Sequence, residues 1–118
     1  MMDRMSEDFS VGPSAGNDWE HPWRGYTKAA LLDAAKETVA GRGKNYGKPE
    51  DNFGRIAAHW TVYLKNRHGV AVQITPGDVA ALMVLMKIAR LEFDPKHADS
   101  WVDTAGYAAC GAEIETAK

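Results

Sequence analysis

The tetrapeptide Thr75-Pro76-Gly77-Asp78 constrains this chain more than any other stretch. A threonine hydroxyl can accept from a backbone N–H of the first turn, proline is preset for the first helical position, and an acid two residues on closes a capping box. A helix is expected to start at Pro76. Val79, Leu82, Met83, Met86 and Ala89 then recur at the helical period and form its expected apolar face. Asp94-Pro95 ends it after Phe93, because the residue before a proline is pushed out of the α region.

The same signals place three more helices. Thr27 is an N-cap for a helix over 27–40, with Ala30, Leu31, Ala34, Ala35 and Thr38 on one stripe and Gly41 and Gly43 closing it. Pro49 opens another, where Glu50 and Asp51 suit the helix dipole, the stripe is Phe53, Ile56, Ala57, Trp60, Tyr63 and Leu64, and Gly69 lies past the end. A last helix runs from Ala98 or Asp99 to Glu115, with Trp101, Val102, Ala105, Ala108, Ala109, Ala112 and Ile114 inside. Val70 to Ile74 alternates like a strand but has no partner, so it reads as an extended connection. The fold class is therefore all-α, a four-helix bundle over 26–118, in which Ala105, Gly106, Ala108, Ala109, Gly111 and Ala112 allow close helix approach.

Residues 1–25 carry Gly12, Pro13, Gly16 and Pro22 without a sustained period, and read as an irregular N-terminal arm. Trp19, His21, Trp23 and Tyr26 are amphipathic rings that suit docking, onto the bundle itself or onto a second subunit. A homo-oligomer is the expected assembly. The net charge of −2 over 118 residues lacks the basic face that a nucleic-acid duplex requires. No apolar run reaches the roughly 20 residues that cross a bilayer, and the charged opening MMDRMSEDFS does not resemble a signal peptide, so a cytoplasmic protein is expected. Cys110 is the only cysteine and reads as a buried thiol.

Four groups of residues suit chemistry as well as structure. The stretch Gly41-Arg42-Gly43-Lys44-Asn45-Tyr46-Gly47-Lys48-Pro49 brings glycines and cations to a helix start, which fits an anion site or a plain connecting loop. Lys87 and Arg90 share one face of an otherwise apolar helix; they bind phosphate, pair with carboxylates of a neighbouring helix or snorkel to water. Asp99 and Asp103, one turn apart, can share Mg²⁺ with phosphate oxygens, or can serve the helix dipole and the N-cap. Asp33 with Glu37, and Glu50 with Asp51, add acids that are either further ligands or surface charge. His21, His59, His68 and His97 show no zinc spacing.

Lys44-Asn45-Tyr46-Gly47-Lys48-Pro49-Glu50-Asp51-Asn52-Phe53, Thr75-Pro76-Gly77-Asp78-Val79-Ala80, Lys87-Ile88-Ala89-Arg90-Leu91 and Asp99-Ser100-Trp101-Val102-Asp103-Thr104-Ala105-Gly106-Tyr107-Ala108-Ala109 follow one another in order. Together they resemble a family of small phage and prophage proteins over about residues 29 to 113. That family is distantly similar to the MazG-like all-α nucleotide pyrophosphohydrolases, which bind Mg²⁺ through helix-borne carboxylates and cleave nucleoside triphosphates to monophosphate and pyrophosphate. The resemblance implies a nucleotide side formed by Tyr46, Asn52, Lys87, Arg90 and Tyr107, to which the cationic loop adds Lys44. It also implies that the Asp99 to Asp103 stretch takes the place of the enzymes' second acidic motif; as an enzyme, the chain is expected to hold Mg²⁺ through Asp99 and Asp103, helped by Glu37 or Glu50, with Asp103 and Lys87 as catalytic residues. The enzymes carry ExxE and ExxD motifs, whereas this chain has Asp33-x-x-x-Glu37 and Asp99-x-x-x-Asp103. A protein that binds a nucleotide or a nucleotide-derived host signal without cleaving it is the alternative, as is an oligomeric interaction protein.

Overall fold

The computed structural model describes residues 26–117, and within them the backbone alone of 42–46. The expected arm over 1–25, with Trp19, His21 and Trp23, lies outside the described residues. Four helices follow one another: α1 Lys28–Tyr46, α2 Pro49–His68, α3 Pro76–Phe93 and α4 Ala98–Thr116. There is no strand among the described residues, and Val70 to Ile74 is a connection with neither helix nor strand. It is tied down where the Ile74 N–H donates to the Thr61 hydroxyl at 2.9 Å.

The helix starts follow the residue chemistry. The Thr27 hydroxyl accepts from the Ala30 N–H at 3.0 Å. Thr75 and Asp78 form the full capping box, each side chain accepting from the other's backbone N–H, at 3.1 and 3.0 Å. Gly69 ends α2 in the left-handed region with φ 69°, a conformation that glycine adopts without a Cβ penalty.

Two boundaries differ from expectation. Helix α1 does not stop at Gly41 but runs on to Tyr46, and the positive φ of 82° falls at Gly47. An interior glycine costs about 1 kcal/mol relative to alanine, which weakens a helix without ending it. The eight-residue loop expected over 41–48 is thereby reduced to the turn at Gly47 and Lys48. At α4 the N-cap is His97, not Asp99: its Nδ1 accepts from the Ser100 N–H at 3.2 Å.

Helices α3 and α4 make the most extensive contact; α1 lies against α4, α2 lies against α3, and α1 and α2 barely meet. The arrangement is consistent with a four-helix bundle, opened on the side between α1 and α2. Gly111 sets the approach of the central pair, since a Cβ there would stand 3.0 Å from the Ala80 Cβ.

This arrangement rotates the expected inner faces. On α3 the buried line is Val79, Ala80, Met83, Lys87 and Leu91, while Leu82 is 41% exposed and Ala89 is exposed. On α4 it is Val102, Asp103, Gly106, Tyr107 and Cys110. Trp101, expected inside, is exposed and its ring N–H donates to the Pro95 carbonyl at 2.8 Å; Ala108, Ala109 and Ala112 are exposed too. Tyr63 on α2 is likewise exposed. The expected stripes counted only apolar residues, whereas the real ones run through a buried lysine and aspartate.

Candidate functional site

Because α1 and α2 diverge over α4, a cleft opens between them. Thr38 and Val39 of α1, Gly47 of the turn, Pro49, Asn52 and Phe53 of α2, and Asp103, Gly106, Tyr107 and Cys110 of α4 line it, around a cavity of about 50 Å³. The rings of Phe53 and Tyr107 have centroids 6.2 Å apart and planes tilted by 39°, a favourable offset for aromatic edges.

The floor carries charge. Lys87, fully buried on α3, places its Nζ 3.0 Å from Oδ2 of Asp103, and the two side chains are 1% and 2% exposed. Nζ makes no aligned hydrogen bond among the described residues, so the contact is chiefly one of charge. Burying either ion alone would cost several kcal/mol, roughly, and the pairing offsets part of that. The sequence leaves phosphate, water or a carboxylate on a neighbouring helix open to Lys87, and the fold sets it against a carboxylate.

A second polar group caps α4. The Ser100 hydroxyl, fully buried, lies 2.8 Å from His97 Nδ1, and the same nitrogen accepts from the Ser100 N–H. Arg90 Nη2 approaches Nε2 of His97 at 3.5 Å. Burial lowers the His97 pKa below its ordinary value, and the nearby Arg90 cation adds to this against the opposing pull of Asp99 and Asp94. Burial and the Asp99 carboxylate raise the pKa of Tyr26, which brings the start of the described chain close to this end of α4.

The structure thus brings Asp103, Asn52 and Tyr107 to one cleft, with Lys87 behind Asp103. Arg90 and Asp99 belong instead to the α4 cap with His97. Glu37 is exposed on α1, and Lys44 and Tyr46 have side chains outside the described residues. No group of three His, Cys, Asp or Glu side chains placed to share a metal ion occurs among the described residues. The start of α2 offers few donors to an anion: Pro49 has no N–H, and the N–H groups of Asp51 and Asn52 both donate to the Lys48 carbonyl. Sequence reasoning did not place Thr38, Val39, Gly106 or Cys110 at a site. They carry no chemical signature, and only the divergence of α1 from α2 gathers them.

None of the described helices is long and apolar enough to cross a membrane. No solved structure matches the chain. The chain is 44% identical over 86 residues to the Gene 55 protein of Mycobacterium phage D29, an alignment covering 72% of this chain and 53% of that protein. It is 41% identical over 80 residues to the Gene 55 protein of Mycobacterium phage L5, covering 67% and 48%. The chain spans about half the length of these curated relatives. Residues 30–115 match the model of the family described as Domain of unknown function (DUF6378), a match that takes in every helix and the whole cleft, and the chain belongs to that family, which includes phage proteins.

Proposed function

We propose that the protein binds a nucleotide or nucleotide-derived small molecule in the cleft between α1, α2 and α4. The observation that carries this is a cavity walled by Phe53 and Tyr107 and floored by the buried Asp103. Pockets for small ligands combine apolar and aromatic walls with a few fixed polar groups, and here Asn52, Thr38 and Asp103 are those groups. The exposed Lys48, beside the cleft residues Gly47 and Pro49, is a cation for the phosphate end.

Magnesium-dependent release of pyrophosphate, the activity of the MazG-like enzymes that the sequence resembles, has less support. The described residues fit Mg²⁺ poorly: Asp103 is matched by Lys87, and no three His, Cys, Asp or Glu side chains among the described residues are placed to share a metal ion. Binding without cleavage is the form of the proposal that the geometry favours. A second copy of the chain is proposed as a partner, since Leu85 is 60% and Phe93 is 93% exposed on α3, and the host cytoplasm as the setting.

The test is a panel of ribonucleoside and deoxyribonucleoside triphosphates, each with and without Mg²⁺. A ligand-dependent rise in melting temperature without pyrophosphate release is the expected result. No shift with any nucleotide would overturn binding, and pyrophosphate release abolished by Asp103→Asn would restore the enzyme.

A further inference from the structure

The floor of the cleft presents an anion, and this decides which end of a ligand can enter. Of the buried pair, Asp103 lines the cleft and Lys87 stands behind it on α3, reaching Oδ2 from the far side. A phosphate pushed inward would meet a carboxylate whose side chain is only 2% exposed. Like charges repel far more strongly there than in bulk water. The part of the ligand that enters cannot be anionic and must donate hydrogen bonds, as the neutral base of a nucleotide does and its phosphates do not.

Size and shape narrow the choice. The cavity of about 50 Å³ has room for the edge of one ring but not for a polyphosphate, since a single water already takes roughly 10–15 Å³ of such a space. Phe53 and Tyr107 offer ring faces and edges, and Val39 and Pro49 add apolar wall. A flat heterocycle satisfies all of these, with its donors turned to Asp103.

We propose that the cleft is a base subsite selecting a heterocycle with two adjacent N–H donors, a guanine-type edge, with Asp103 as acceptor and Lys87 as the positioning residue for its carboxylate. The proposal rests on the nucleotide reading above and names the end of the nucleotide that is recognised. A carboxylate has about four acceptor positions, so Asp103 can keep its intramolecular contacts and still receive two ring donors. A ring N–H and the neighbouring exocyclic amine match the two carboxylate oxygens side by side. Inosine keeps the ring N–H and lacks the amine, and uridine offers one donor flanked by carbonyl oxygens that a carboxylate repels. A site built around buried hydrogen-bonding groups rejects analogues that leave those groups unmatched.

The experiment is calorimetric titration of the full chain with GTP, ITP, ATP and UTP, alongside alkylation of Cys110, the only cysteine and a lining residue of the cleft. GTP is expected to bind at least about tenfold more tightly than ITP, the ratio that one lost hydrogen bond produces, and to slow alkylation of Cys110. The wild-type comparison needs no variant. The double variant Lys87→Met with Asp103→Leu removes both charges together, and is expected to bind GTP and ITP alike. Equal affinities for GTP and ITP in the wild type, with Cys110 protected by both, would overturn the base subsite and leave nucleotide binding standing. A GTP preference that survives in the folded double variant would overturn the role of Asp103. Failure of all four nucleotides to bind would overturn the nucleotide reading itself.

Discussion

Lys87 of α3 and Asp103 of α4 face each other at 3.0 Å across the most extensive helix contact of the fold, both closed off from solvent. The pair therefore joins the central helices and supplies the floor of the cleft at once.

Removing one member of this pair leaves a buried ion without its partner. Lys87→Met or Asp103→Leu alone is expected to destabilise the fold by about 3–5 kcal/mol, while the double variant loses much less or gains stability. Urea unfolding of the three variants, read by helical circular dichroism, measures the coupling directly. Additive losses would show that the pair contributes no coupling.

Gly111 tests the central contact by size alone. A Cβ there already stands 3.0 Å from that of Ala80, so Gly111→Val forces α3 and α4 apart and is expected to cost about 1–3 kcal/mol. Gly54→Ala, at a position where a Cβ meets nothing within 4 Å, serves as the control and is expected to be neutral or stabilising. A thermal melt of each variant decides the matter.

The α4 cap makes stability depend on pH in one direction. His97 accepts at Nδ1 from the Ser100 N–H, which requires that nitrogen to be unprotonated, and its folded pKa lies below the ordinary 6.5. The unfolded chain therefore takes up a proton before the folded one does. The His97 contribution is present above about pH 6.5 and is lost as pH falls toward the folded pKa. His97→Asn keeps a side-chain acceptor at the N-cap without a titrating ring, and is expected to flatten this part of the stability profile between pH 7 and about 5. Denaturation midpoints across that range provide the check.

Cys110 reports on the cleft. It is buried at 9% exposure and lines the cavity beside Asp103 and Tyr107. Alkylation by a small reagent is expected to be slow in the folded protein and fast in urea. Enlarging the cleft by Phe53→Ala is expected to accelerate it in the folded state while costing about 3–5 kcal/mol of stability. Mass spectrometry of the single thiol follows both rates.

Much of the fold is legible in the sequence because helix ends are local chemistry. Thr27, Pro49, Gly69 and the capping box at Thr75 act on the few residues next to them, and each signal appears where its residues place it. Gly41 and Gly43 misled for the complementary reason: a glycine permits a helix to end without requiring it, and the neighbouring turns held α1 together as far as Tyr46. His97 displaced Asp99 as the N-cap because an imidazole nitrogen can accept the same N–H bond that an aspartate would.

The sequence by itself determined four helices, their starts and the residues able to do chemistry, since propensity, capping and period all operate within a few turns. Tertiary structure decided how each helix is turned about its apolar stripe: Phe53, Ala57, Val79 and Met83 are inside as expected, whereas Leu82 and Trp101 are not. Helix α3 lies between two neighbours, and the line that meets α4 carries Lys87, which a count of apolar residues assigns to solvent. Whether a lysine is exposed or buried depends on a carboxylate sixteen positions away in the chain, and only packing brings Asp103 to within 3.0 Å of it. The cleft is likewise a product of the divergence of α1 from α2, a relation between helices that no residue encodes alone.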